Sequence, residues 1–206
     1  IKNVTLTLPN TSWIKGLISK VGKGGIIFNL NITTISYSVE LDTPEMYGLL
    51  CGANEGTLFN CHVFDGKLNS TQGKKVGGIA GQNSSTSALI QSCSFSGIIT
   101  GREIVGGLVG RNFGSISQSY SRGSVEGYAS VGGLAGDSLN GLISNSYSRA
   151  SVMCTGDAAN HYAGGFVGSL TASTIINCYS AGLVASKSTN PKVGGFAGYY
   201  TDEPFN

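Results

Sequence analysis

Charge is scarce in this chain. Of its 206 residues only 12% are charged, and 13 Lys and Arg against 11 Asp and Glu leave a formal net charge of +2. So thin a balance offers no electrostatic footprint for nucleic acid or for an anionic membrane surface. Apolar runs are short as well, three residues or so, where a membrane-spanning helix needs about 20. Proline numbers 4, and the 5 cysteines are an odd set with no C-x-x-C pair. They form neither a zinc layout nor the dense framework of a small disulfide domain. The chain opens on Ile1 with no secretory leader in view, and we read it as a monomeric, processed or excised piece of a larger protein.

Glycine, by contrast, is abundant, with 32 residues, about twice the usual share. It lacks the every-third spacing of collagen. A hydrophobic fraction of 40% excludes general disorder. The accompanying serine, threonine and asparagine prefer turns and strands to helix interiors, which argues against a helical bundle.

The glycines mark a repeat. Val76–Gly81 reads V-G-G-I-A-G and returns as V-G-G-L-V-G at Val105–Gly110 and V-G-G-L-A-G at Val131–Gly136. Ala163–Gly168 and Val193–Gly198 continue it, Tyr47–Gly52 is a degenerate copy, and Lys15–Lys20 opens the series. The final glycines are spaced by 29, 29, 26, 32 and 30 residues. A second block follows each copy but the last: Ile116–Val125 (I-S-Q-S-Y-S-R-G-S-V), Ile143–Val152 and Ile175–Val184, with earlier forms at Ile27–Ile32, Leu58–Val63 and Ile90–Ile99. Most length variation falls between this block and the next V-G-G, as it does when insertions decorate one corner of a solenoid.

Within the unit we read three short strands: V-G-G-φ-φ-G, with φ apolar, the stretch from Ile116, and the stretch around Val125. Strands this short need neighbours above and below. The expected fold is therefore all-β, a parallel β-helix (β-solenoid) with coils of 26–32 residues, taken as right-handed. At about 4.8 Å per coil, six coils make a rod on the order of 30 Å long. We treat 1–206 as a single solenoid, with a worn first coil and cap over 1–46, repeats over 47–198, and a tail or truncated coil over 199–206.

Alternation sets the columns. Leu30, Cys61, Cys93, Ser119, Ser146 and Cys178 are read as inward, cysteine acting as a small hydrophobe, and so are Ile32, Val63, Phe95, Ser121, Ser148 and Ser180. Asn31, His62, Ser94, Tyr120, Tyr147 and Tyr179 point out between them. Asn29, Asn60, Gln118, Asn145 and Asn177 are read as a corner ladder whose amides bond from coil to coil.

V-G-G-φ-φ-G followed by I-x-N-C-Y-S-x-G-x-V resembles the GLUG motif, a repeat of bacterial surface and secreted proteins. These include adhesin-like proteins and the non-catalytic portions of some immunoglobulin A-specific metallopeptidases. The resemblance covers about residues 16–198 and implies a β-helical, extracellular or cell-surface, adhesive or spacer module.

Motifs for catalysis are missing. There is no H-E-x-x-H, no G-x-S-x-G, no phosphate-binding loop and no G-G-x-G-x-D calcium repeat, so neither metal nor cofactor is expected. β-Helices also carry polysaccharide-active enzymes, which need two carboxylates about 5–10 Å apart. Asp42 and Glu45 are the closest pair, in a corner with only Tyr47 beside them, and a solvated turn is the simpler reading. Ice or mineral binding would call for outward threonine ranks, which are absent from the column above.

The outward column does offer a candidate surface. Tyr120, Tyr147 and Tyr179, with Arg122 and Arg149 two residues on, form stripes on one face. They are either a platform for a glycan or a host surface protein, or an aromatic ladder that steadies its own neighbours. Cys61 and Cys93 share a column and are read as buried thiols rather than a disulfide. Cys154, beside Met153, is read as an exposed thiol.

Overall fold

The computed structural model describes residues 2–5, 14–39, 45–157, 161–187 and 192–202. They form 28 strands and no helix. Every strand pairing is parallel, and each joins a strand to its counterpart one coil away. The molecule is a parallel β-solenoid of six coils with a further half-coil at its C-terminal end.

Each of the first five coils contributes four strands, where the repeat reading has three; the sixth contributes five, its last strand being split into Tyr179–Ser180 and Val184–Ser186, and the strand Lys2–Thr5 precedes the first coil. In the fourth coil they are Ile104–Gly106, Val109–Asn112, Ser115–Ser117 and Tyr120–Gly127. The four sheets, numbered I to IV in that order, hold 7, 7, 6 and 8 strands. The extra strand arises inside the V-G-G-φ-φ-G block, which breaks in two after its first glycine. A side chain at Gly77 would strike the Ala80 carbonyl and, at 2.7 Å, the Gly110 nitrogen of the next coil. One at Gly81 would come within 2.5 Å of the Tyr47 nitrogen in the coil before. The outer glycines thus let sheets I and II lie backbone against backbone. The middle glycine has another task, since a Cβ at Gly78 would fall on the Phe95 ring. Where the inward residue is smaller, as at Ser121, the gap closes with a hydrogen bond from Ser121 Oγ to the Gly133 carbonyl, 2.5 Å.

The corner between sheets III and IV is a single left-handed residue. Asn29, Asn60, Ser92, Gln118, Asn145 and Asn177 all sit at φ of 48–55°, a region that asparagine tolerates better than most residues. The core inside the coils is apolar and continuous. Val76, Val105 and Val131 line sheet I, and Ile79, Leu108, Leu134 and Phe166 fill the turn after it. Ile90, Ile116 and Ile143 cover sheet III, and Ile99, Val125 and Val152 cover sheet IV.

The two inward columns are buried through the middle coils and half-buried at their ends, in Leu30, Cys178 and Ser180. Cysteine and serine interchange there for a polar reason. Ser119 Oγ donates to the Ser117 carbonyl at 2.7 Å, and Cys93 Sγ donates to the Gln91 carbonyl at 3.2 Å. Both satisfy the carbonyl two residues back, so the thiol acts as a donor rather than as a plain hydrophobe.

Candidate binding surface

Sheet IV carries the long strands, and its pairing register sets the outward rows. Tyr120 aligns with Tyr147, and Tyr147 with Tyr179; Arg122 aligns with Arg149. The rings stack almost face to face, with centroids 4.9 Å apart at 2° for Tyr120–Tyr147 and 5.0 Å at 5° for Tyr147–Tyr179. Arg122 lies 5.1 Å from the Tyr120 ring centre and donates to Tyr147 Oη at 3.1 Å. Arg149 repeats this one coil on, 5.5 Å from the Tyr147 ring and 3.5 Å from Tyr179 Oη. All five residues of the expected stripe are therefore together. Their inner ring faces, however, are taken up by one another, so the stripe offers ring edges, hydroxyls and guanidinium groups to the outside.

Above the stripe the outward row continues through Ser94, His62 and Asn31. Ser94 is buried although it points outward, because the larger His62 and Tyr120 flank it. His62 Nε2 meets Asn60 Oδ1 at 2.9 Å, and His62 Nδ1 meets Ser94 Oγ at 2.7 Å. Burial pushes the His62 pKa below its ordinary value. The corner ladder is present in segments: Asn60 Nδ2 donates to Asn29 Oδ1 at 2.7 Å, Gln91 Nε2 to Gln118 Oε1 at 3.3 Å, and Asn177 Nδ2 to Asn145 Oδ1 at 3.3 Å.

A second amide ladder escaped the sequence reading. Asn54 Nδ2 donates to Asn83 Oδ1 at 2.8 Å, Asn83 to Asn112 Oδ1 at 2.9 Å, and Asn112 to Ser138 Oγ at 3.3 Å, all fully buried. Its signal was the asparagine two residues past the last glycine of three V-G-G-type blocks. Also unforeseen is the pair of Arg111 Nη2 with Asp137 Oδ2, 2.9 Å, where Ser130 Oγ donates to the other carboxylate oxygen at 2.8 Å. Burial raises the Asp137 pKa, opposed by Arg111 and Ser130.

Two expectations need correction. Cys154 is not exposed: it closes the strand Tyr147–Cys154, 1% accessible, with Sγ turned to the Tyr128 carbonyl at 3.4 Å. Alternation points it inward, and no insertion begins until after it. Glu45 does have basic partners, Lys74 and Lys75 of the following coil, each at 3.5 Å, and Tyr47 is wholly buried. Asp42 lies outside the described residues. A second stacked pair lies on another face: the Tyr162 and Tyr199 rings are 4.9 Å apart, with Lys192 Nζ 5.2 Å from both.

The cysteines are free thiols, and Cys51, Cys61, Cys93 and Cys154 are buried. Burial pushes Cys51 up to about 12. Among the described residues no three His, Cys, Asp or Glu side chains come together as a metal site would need, and no helix is long and apolar enough to cross a membrane.

The profile of the GLUG motif matches residues 101–126 and 159–185. This chain carries GLUG repeats. The first matched GLUG segment runs through all four strands of the fourth coil, and the second corresponds to the sixth. The fifth coil, between them, has the same strands in the same register. One GLUG unit is thus one turn of the solenoid, with its V-G-G making the sheet I–II fold and its second block making sheets III and IV. No curated protein and no solved structure matches the chain.

Proposed function

We propose that the chain is a non-catalytic, rigid repeat module of a cell-surface or secreted bacterial protein, and that it holds a partner protein against its Tyr–Arg stripe. The observation that carries this reading is the stripe itself: three tyrosines and two arginines fixed in register on the widest sheet. Tyrosine and arginine are favoured anchors at protein interfaces. Stacking also pre-orders them, so a partner spends little entropy in fixing them. With the inner ring faces closed, edges, hydroxyls and guanidinium groups suit the carbonyls and carboxylates of a protein better than the flat face of a sugar.

Surface plasmon resonance over immobilised fibronectin, fibrinogen and collagen tests the reading. The native chain is expected to bind at least one of them, and Tyr120, Tyr147 and Tyr179 changed together to serine should weaken that binding at least tenfold. Equal binding by the variant, or no binding by the native chain, would overturn the contact role. Release of reducing ends from a plain polysaccharide would overturn the non-catalytic one.

A further inference from the structure

The same long strands have a second half, and its chemistry differs. A positive-φ residue interrupts each of the first four: Thr34 and Asp65 at 55° and 52°, then Gly97 and Gly123 at 149° and 108°. The register also shifts at this line, between Phe95 and Gly97. A bulge of this kind bends a strand and re-aims the side chains beyond it. At Gly123 the bend admits no side chain, because a Cβ there would strike the Gly97 carbonyl. Past the bend the outer surface is hollow. One cavity of about 520 Å³ is lined by Ser36, Ser38, Lys67, Asn69, Ile98 and Thr100. A second, of about 340 Å³, begins at the same Thr100 and continues past Arg102, Glu126 and Tyr128. Each falls within the range of small-molecule sites, about 300–1,000 Å³, and the shared threonine makes them one groove running across the coils.

The polar groups of the first cavity are unspent. Elsewhere the outward amides bond their counterparts one coil away, as at Asn29–Asn60 and Asn145–Asn177. Ser36, Ser38, Lys67 and Asn69 are exposed, and their side chains make no hydrogen bond or ion pair among the described residues. They stand in pairs at the coil spacing, about 4.8 Å, which is close to the length of one pyranose unit. At the far end Tyr128 is 41% exposed and, unlike the stripe tyrosines, meets its aromatic neighbour His161 edge-on, at 64°, with the Arg102 guanidinium 5.9 Å from its ring centre and its hydroxyl donating to Asp157 Oδ1 at 3.1 Å. Arg102 is held beside it by Gln72 Oε1 at 3.0 Å, and Glu126 adds an acceptor. Exposed apolar surface is limited to Ile98 and the Tyr128 ring.

We propose that this groove is a binding site for a neutral, linear oligosaccharide lying along the solenoid axis, with successive units against successive coils and a terminal unit on Tyr128. The hydroxyl, amide and ammonium groups match sugar hydroxyls, which both donate and accept. The proposal rests on the reading of the chain as an exterior binding module, but uses neither the residues of the Tyr–Arg stripe nor its partner.

Calorimetric titration of the whole chain with neutral hexasaccharides tests it, using β-1,3-glucan, β-1,4-glucan and β-1,4-mannan hexamers, with hexagalacturonate as the acidic contrast. At least one neutral hexamer should bind, and hexagalacturonate more weakly. Thr100→Trp, which fills the junction of the cavities from an outward strand position that accepts aromatics, should abolish binding. Tyr128→Ala should weaken it at least tenfold, with circular dichroism unchanged in both variants. The triple Tyr→Ser variant of the stripe should bind the hexamer within twofold of native. Failure of every neutral hexamer, tighter binding of hexagalacturonate, or binding that survives Thr100→Trp would overturn the proposal. None of these outcomes touches the stripe, whose own failure is undiminished protein binding in the triple variant.

Discussion

Asparagine serves two different ends in this chain, and burial decides the worth of each. Asn60 and Asn83 both bond amides in neighbouring coils, but Asn60 does so at the surface and Asn83 in a fully enclosed line. Water can replace the partner at the surface and cannot inside. Asn83→Ala leaves Asn112 Oδ1 without its donor and is expected to destabilise the fold by about 1–3 kcal/mol, the cost of an unsatisfied buried polar group. Asn60→Ala removes two bonds, with Asn29 and His62, that solvent can replace and should cost well under half as much, even though it also alters a left-handed corner. Urea denaturation of the two variants checks the order, and equal losses would mean that the enclosed ladder carries no special weight. The surface ladder was legible because asparagine repeats in a corner next to the inward column. The enclosed one was not, because a residue flanking a glycine corner gives no sign in the sequence of which way it turns. Cys154 misled for a similar reason: its place beside a variable segment outweighed the alternation that buries it.

At the scale of the strand, the tyrosine ladder is a cooperative element. Tyr147 stacks on both sides, whereas Tyr179 stacks on one. An aromatic pair contributes about 0.5–1.5 kcal/mol beyond area burial. Tyr147→Ala is therefore expected to cost about twice as much as Tyr179→Ala, and it also strips Arg122 of its hydroxyl acceptor. Thermal unfolding of the two variants measures this, and a Tyr179 loss equal to that of Tyr147 would argue against ring stacking as the source. Alternation alone placed the Tyr and Arg rows, since a period of two needs no tertiary knowledge. The division of V-G-G-φ-φ-G into two strands was less accessible. It depends on what each glycine faces: Gly77 and Gly81 face backbone, and Gly78 faces the Phe95 ring. Three identical residues in one motif answer two separate steric demands, and the sequence prints them alike. The groove beyond the bend was hidden because Thr34, Asp65, Gly97 and Gly123 have in common only a positive φ and not one residue type.

For the whole molecule, the repeat makes stability close to a sum of coils and the contacts between them. Register is therefore the quantity that must survive any change in length. Removing residues 131–162 joins Ser130 to Ala163, the register partner of Val131, and so excises one complete coil. Sheets I to IV then close again with like strands adjacent, and Tyr120 comes to face Tyr179 across the gap left by Tyr147. The excised coil takes Asp137 with it, so the half-exposed Arg111 is left to solvent rather than opposite a stranded buried carboxylate. This variant is expected to remain a folded all-β rod, shorter by about 4.8 Å, with a lower midpoint of unfolding. Removing only 131–146 would instead set the long strand Tyr147–Cys154 where a sheet I strand belongs. Inward residues would turn outward along the rest of the chain, and that variant should lose its cooperative transition. Small-angle scattering and circular dichroism on the pair separate the two outcomes. A whole-coil deletion that unfolds while the half-coil deletion folds would show that something other than stacked, interchangeable turns holds the molecule together.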